Sequence, residues 1–124
     1  MDNNSEQETP NNKVWLEGDI VCYGLSNEVD EREAILLNDV GLEYINSGKA
    51  SFVLIDLQQQ SSKFSSVARK IWVKFLQNTK IKKAAMFGGN IIVRTLASFV
   101  IAAAGKKNIK FFAAKEEALK WLKS

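Results

Sequence analysis

The sequence predicts an α/β fold: a mixed, mainly parallel sheet of about five strands with about four helices. Three observations carry this expectation. Short apolar runs alternate with longer stretches of helical apolar period. Side chains that cap helices stand just ahead of two helical stretches, at Asp30 and at Ser65 or Ser66, and Gly88-Gly89-Asn90 launches a third. With 124 residues, the chain has enough length for one core and too little for two ordinary ones.

Residues 1–12 are polar, hold the only proline (Pro10) and show no apolar period. They read as a disordered tail, leaving 13–124 as a single domain. Lys13 to Leu16 and Ile20 to Leu25 read as strands, and Glu17-Gly18-Asp19 supplies a hairpin turn. Asp30 is placed to cap a helix, with Glu33 three residues on. In that helix Ala34, Leu37, Val40, Gly41, Tyr44 and Ile45 recur at helical spacing. Phe52 to Leu57 is apolar apart from Asp56, as a strand covered on both faces should be.

Gln58 to Lys63 then reads as a polar loop. The next helix carries Ala68, Ile71, Trp72, Phe75 and Leu76 as its buried stripe. Ala84 to Phe87 is a strand, and Gly88-Gly89-Asn90 turns it into the most apolar helix of the chain, Ile91 to Ala104. Gly105 reads as that helix's left-handed C-terminal residue, followed by Lys106 and Lys107. Ile109 to Ala113 and Lys115 to Lys123 give the last strand and the last helix.

Composition removes whole classes of function. There is no histidine and a single cysteine, Cys22, so the usual zinc sites and the Ser-His-Asp or Cys-His nucleophile systems are excluded. Asp19, Asp39, Asp56, Glu43 and Tyr44 could donate or accept protons, but their spacing forms no constellation. We expect no catalytic residue, no metal and no cofactor. No stretch approaches the ~20 apolar residues that span a bilayer, and no secretory signal is visible, so the expected location is cytoplasmic.

The net charge of +3 hides an asymmetry along the chain. Residues 13–57 carry three basic and nine acidic side chains, whereas residues 58–124 carry fourteen basic and two acidic. Lys80, Lys82, Lys83, Lys106, Lys107 and Lys110 could suit an anion, but Trp72, Phe75 and Trp121 fall on predicted buried stripes. Nucleic acid is therefore not the expected partner.

Several segments resemble one family. They are Val53-Leu54-Ile55-Asp56-Leu57 with the Ser65-Ser66 turn, Lys82-Lys83-Ala84-Ala85-Met86-Phe87-Gly88-Gly89, Leu96-Ala97-Ser98-Phe99, and Glu116-Glu117-Ala118-Leu119-Lys120-Trp121-Leu122. Together they resemble the STAS or SpoIIAA-like domain, in particular the small stand-alone bacterial members, sometimes grouped with lipid-binding CRAL-TRIO domains. The resemblance runs from about Asp19 to Leu122. It implies a regulatory or protein-interaction module. In the family's anti-sigma-factor antagonists, a phosphorylated serine sits in an Asp-Ser-Ser-Gly or Asp-Ser-Thr-Gly turn. Here the matching stretch is Phe64-Ser65-Ser66-Val67, which keeps the hydroxyls and lacks the aspartate and glycine that flank them in the family.

Three sets of residues are the candidate sites. Ser65 and Ser66 are a candidate regulatory phosphosite or an ordinary helix cap. Gly88, Gly89 and Asn90 open a helix and could offer N–H groups to an anion, or simply make a tight turn. Ile91, Arg94, Thr95, Ser98 and Ala102 form a line of mostly small residues on helix 91–104. That line suits a protein partner or a second copy, or a lipid or other hydrophobic ligand in a cleft beside the helix. On the opposite side Val93, Leu96, Ala97, Val100, Ile101 and Ala104 are expected to meet the sheet, flanked by Ile92, Phe99 and Ala103.

Overall fold

The computed structural model describes residues 6–8 and 12–124. Its elements run in the order β1 (Glu6–Glu8), β2 (Asn12–Glu17), β3 (Ile20–Val29), α1 (Glu31–Asn46), β4 (Phe52–Phe64), α2 (Ser66–Leu76), β5 (Lys83–Phe87), α3 (Ile91–Ala104), β6 (Ile109–Phe112) and α4 (Lys115–Leu122). The expected α/β architecture is present: β2 to β6 and four helices stand where the sequence places them. The short strand β1 is an addition, paired antiparallel with Lys13–Trp15. Asn12, the last residue of the expected tail, opens β2 and is buried; residues 1–5 and 9–11 lie outside the described residues.

The sheet order is β1-β2-β3-β4-β5-β6, identical to the chain order. The first three strands pair antiparallel, and β3 to β6 are parallel. A sheet that always grows in one direction by crossovers of one hand must stack its crossover helices on one face. Accordingly α1, α2 and α3 share a core with Val21, Tyr23, Val53, Ile55, Ala84 and Met86. The helix after β6 is free of that constraint, and α4 covers the other face, over Cys22, Leu54, Ala85 and Phe87.

The helix starts follow the sequence. Asp30 Oδ1, Ser65 Oγ and Asn90 Oδ1 accept from the backbone N–H of Glu33, Ala68 and Val93 at 2.9, 3.0 and 3.0 Å. Each satisfies one of the donors that a helix start leaves open, an effect of ~1 kcal/mol. Gly105 ends α3 in the left-handed region at φ 68°.

One segment departs from expectation. Gln58 to Lys63, read as a polar loop, continues β4, which is 13 residues long. The cause is backbone pairing with the far end of β3 (Ser26 opposite Gln59, Val29 opposite Phe64), with two breaks of register. Such pairing uses main-chain groups and needs no apolar alternation, so the sequence carries no sign of it.

Candidate functional site

The chain's charge asymmetry becomes spatial because sheet order copies chain order. The acidic first half builds β2, β3 and α1 at one side of the sheet; the basic second half builds α2, α3, β6 and α4 at the other. Helices α2 and α3 carry Arg69, Lys70, Lys74 and Arg94 and no carboxylate. Among the described residues, six large apolar side chains stand exposed, and these two adjacent helices hold four of them: Val67, Ile91, Ile92 and Phe99.

The predicted line on α3 is at the surface. Ile91 is 77% exposed, and Arg94, Thr95, Ser98 and Ala102 are exposed as well. Its hydroxyls turn back on their own helix: Thr95 Oγ1 donates to the Ile91 carbonyl at 2.9 Å and Ser98 Oγ to the Arg94 carbonyl at 3.0 Å. That leaves little polar character outward. The Arg94 guanidinium lies 5.5 Å from the centre of the Phe111 ring, a cation–π contact that ties this line to β6.

A second line is open against expectation. Ile92 and Phe99, which the sequence places on the flanks of the core, are 55% and 63% exposed, and Ala103 is exposed too. They lie on the side of α3 that faces α2, at helical spacing. Between the two helices runs a groove of about 300 Å³, lined from α2 by Ser66, Arg69, Lys70 and Val73 and from α3 by Phe99, Val100 and Ala103. The expected inward stripe is buried at Val93, Ala97, Val100 and Ala104, but in a helix apolar all round periodicity does not say how wide the buried side is. The run of basic residues on α2 without a carboxylate is the one sequence signal that marks this side.

Beneath the groove, Leu25, Ile55, Leu57, Trp72, Val93 and Ala97 line a cavity of only about 40 Å³. That is room for a water or two, whereas small-molecule pockets measure ~300–1,000 Å³.

The other candidates sit at the ends of these helices. Ser65 Oγ is occupied as the α2 cap, and Ser66 is exposed on the wall of the groove. Arg69 Nη1 donates to the Phe64 carbonyl at 2.9 Å, holding the turn. Gly88 and Gly89 have φ of 84° and 91°. A Cβ on Gly88 would lie 2.5 Å from Gln58 Cγ, and one on Gly89 would lie 3.2 Å from the Leu57 carbonyl oxygen. Both glycines thus have a packing reason, and Asn90 uses its side chain on Val93 N–H.

Reactive groups are sealed. Cys22 is 2% exposed; burial, with help from the nearby Glu17 carboxylate and against Lys115, pushes its thiol up to about 12. Burial also raises the Tyr23 phenol well above its ordinary value. Among the described residues, no group of three or more His, Cys, Asp or Glu side chains is arranged to hold a metal ion. Nor is any described helix long and apolar enough to cross a membrane.

Comparison with known proteins agrees with this architecture. The SpoIIAA-like family model matches residues 20–123. None of the curated proteins matches the chain. Three solved structures share the fold. An uncharacterised DUF3478-family protein with a SpoIIAA-like fold from Shewanella loihica PV-4 is 20% identical, covers 98% of both chains and has a TM-score of 0.67. An anti-sigma factor antagonist from Mycobacterium paratuberculosis is 15% identical over 95% of this chain and 100% of its own, with a TM-score of 0.69. The anti-sigma factor antagonist SpoIIAA in its unphosphorylated form is 12% identical over 88% and 94%, with a TM-score of 0.65. The family match spans most of the chain, and the protein belongs to the SpoIIAA-like family.

Proposed function

We propose that this SpoIIAA-like protein is a non-catalytic regulatory module of the cytoplasm that acts by docking a protein partner on the α2–α3 face. The observation that carries the reading is the grouping of Val67, Ile91, Ile92 and Phe99 on two neighbouring helices. Clustered exposed apolar side chains mark interaction surfaces, whereas scattered ones need no explanation. Two of the fold's relatives are described as anti-sigma factor antagonists, a role exercised through another protein. The missing histidine and the buried, protonated Cys22 leave catalysis without an evident centre. For the alternative reading, a hydrophobic small molecule or lipid in a cleft beside helix 91–104, the enclosed cavity is only about 40 Å³, and the larger groove is open and lined in part by Arg69 and Lys70.

The test is affinity capture from the native cell with wild-type protein and two variants. Phe99→Ser and Arg94→Glu should each lose the partner that the wild type retains. Leu36→Ser, which changes another exposed apolar residue, on α1, should keep it. Retention by both α3 variants, or equal loss from the α1 variant, would remove the α2–α3 face from the mechanism.

A further inference from the structure

We infer that the groove between α2 and α3 receives an amphipathic helix of a partner protein whose apolar stripe is flanked by glutamates or aspartates. This rests on the docking reading above and adds to it the chemistry of the partner.

Shape, lining and charge each contribute. The site is concave: Phe99 and the α2 side chains Arg69 and Lys70 wall a groove of about 300 Å³. A ridge of side chains fills such a groove, whereas a flat surface leaves it empty. Its apolar lining is Val73, Phe99, Val100 and Ala103, in part small, which lets a neighbouring helix come close. A helix meets it with apolar residues at i, i+3 or i+4, and i+7.

Charge then selects the flanks. The α2 side chains at and beside the groove are Arg69, Lys70 and Lys74, and neither α2 nor α3 carries an acidic side chain, so nothing on these helices attracts an incoming cation or repels an incoming carboxylate. Acidic flanks are attracted and basic flanks are rejected. The same argument disfavours a second copy paired through this face, because a two-fold contact would set the basic face against itself.

The experiment uses the full chain labelled with 15N and three synthetic helical peptides of one length. One has an apolar stripe with Glu flanks, one has the same stripe with Lys flanks, and one has the Glu-flanked composition with the stripe scrambled. Vesicles of phosphatidylglycerol form a fourth arm. The Glu-flanked peptide should shift amides of α2 and α3, with the other probes silent there. Its affinity should fall about tenfold in Phe99→Ser and in Lys70→Glu/Lys74→Glu, and stay unchanged in Lys120→Glu on α4.

Shifts on α2 and α3 from the Lys-flanked or scrambled peptide equal to those from the Glu-flanked one would overturn the partner chemistry and leave docking on this face intact. Vesicle-driven shifts, concentration-dependent shifts without any probe, or silence from all probes would overturn the helix proposal. Peptide-driven shifts confined to α1 or α4 would overturn both this inference and the docking reading.

Discussion

Gly41 in α1 and Tyr23 in β3 fit each other at the level of single atoms: a Cβ at position 41 would stand 1.8 Å from the Tyr23 hydroxyl. Glycine inside a helix costs ~1 kcal/mol relative to alanine, so the helix gives up that stability to admit the phenol. The Tyr23 ring meets Trp72 and Phe75 edge-on, at 4.8 and 5.8 Å between centroids. Its hydroxyl is buried without a protein hydrogen-bond partner among the described residues.

Gly41→Ala should therefore destabilise the protein by about 1–3 kcal/mol through overpacking. Tyr23→Phe should be neutral or stabilising by about 1 kcal/mol, since it removes a buried hydroxyl that makes no protein bond. In the double variant the nearest ring atom becomes Cζ, at 3.0 Å, and the cost of the Gly41→Ala change should shrink. Urea unfolding of the four proteins gives the coupling. Additive single effects would show that the two residues do not interact.

Stability should fall at alkaline pH with a known sign. Cys22 titrates at about 12 in the fold against an ordinary 9.0, so the folded state holds a proton that the unfolded chain has lost. Below about pH 8 the group has no effect. Between 9.0 and 12 it lowers stability as pH rises, at a limiting slope of ~1.4 kcal/mol per pH unit. Comparing urea midpoints of the wild type and Cys22→Ala from pH 8 to pH 10.5 isolates this contribution. The same burial predicts that the native thiol resists alkylation until the protein unfolds.

Ser65 and Ser66 should part company on substitution. Ser65 Oγ accepts Ala68 N–H, and Ser65→Ala should cost about 1 kcal/mol. Ser66 is an exposed first-turn residue, and Ser66→Ala should change stability by less than about 0.5 kcal/mol. Equal losses in thermal unfolding would contradict the cap assignment.

Gly88→Ala should be among the most damaging single changes outside the core. The residue sits at φ 84° with a hypothetical Cβ 2.5 Å from Gln58 Cγ and 3.1 Å from the Gln58 nitrogen. A left-handed alanine costs ~1 kcal/mol before any clash, and the main-chain neighbour cannot swing aside. Thermal unfolding of Gly88→Ala beside Gly48→Ala separates the terms. Gly48 shares the positive φ, at 83°, with open space around it.

Most of the fold was legible because its signals are local. Asp30 and Ser65 announce helix starts by the oxygen each offers, and Gly105 announces an end by its permitted φ. The extension of β4 through Gln58–Phe64 was not legible, because it is held by main-chain pairing with Ser26–Val29. Likewise the apolar character of α3 predicts a buried side without saying how wide it will be. The sequence places Ile92 and Phe99 on the flanks of the core, and only the seating of α3 beside α2 shows them open.

A sheet whose spatial order repeats its chain order has a consequence for how the protein is made. Each parallel strand that leaves the ribosome finds a sheet partner already in place upstream, so assembly can proceed from the N-terminal side without waiting for a distant segment. The exception is the far face: Cys22, Leu54 and Phe87 stay uncovered until α4, which follows all the described strands, folds back over them. A chain interrupted before Lys115 would carry a nearly finished sheet with one bare apolar side, a ready mark for chaperones and proteases.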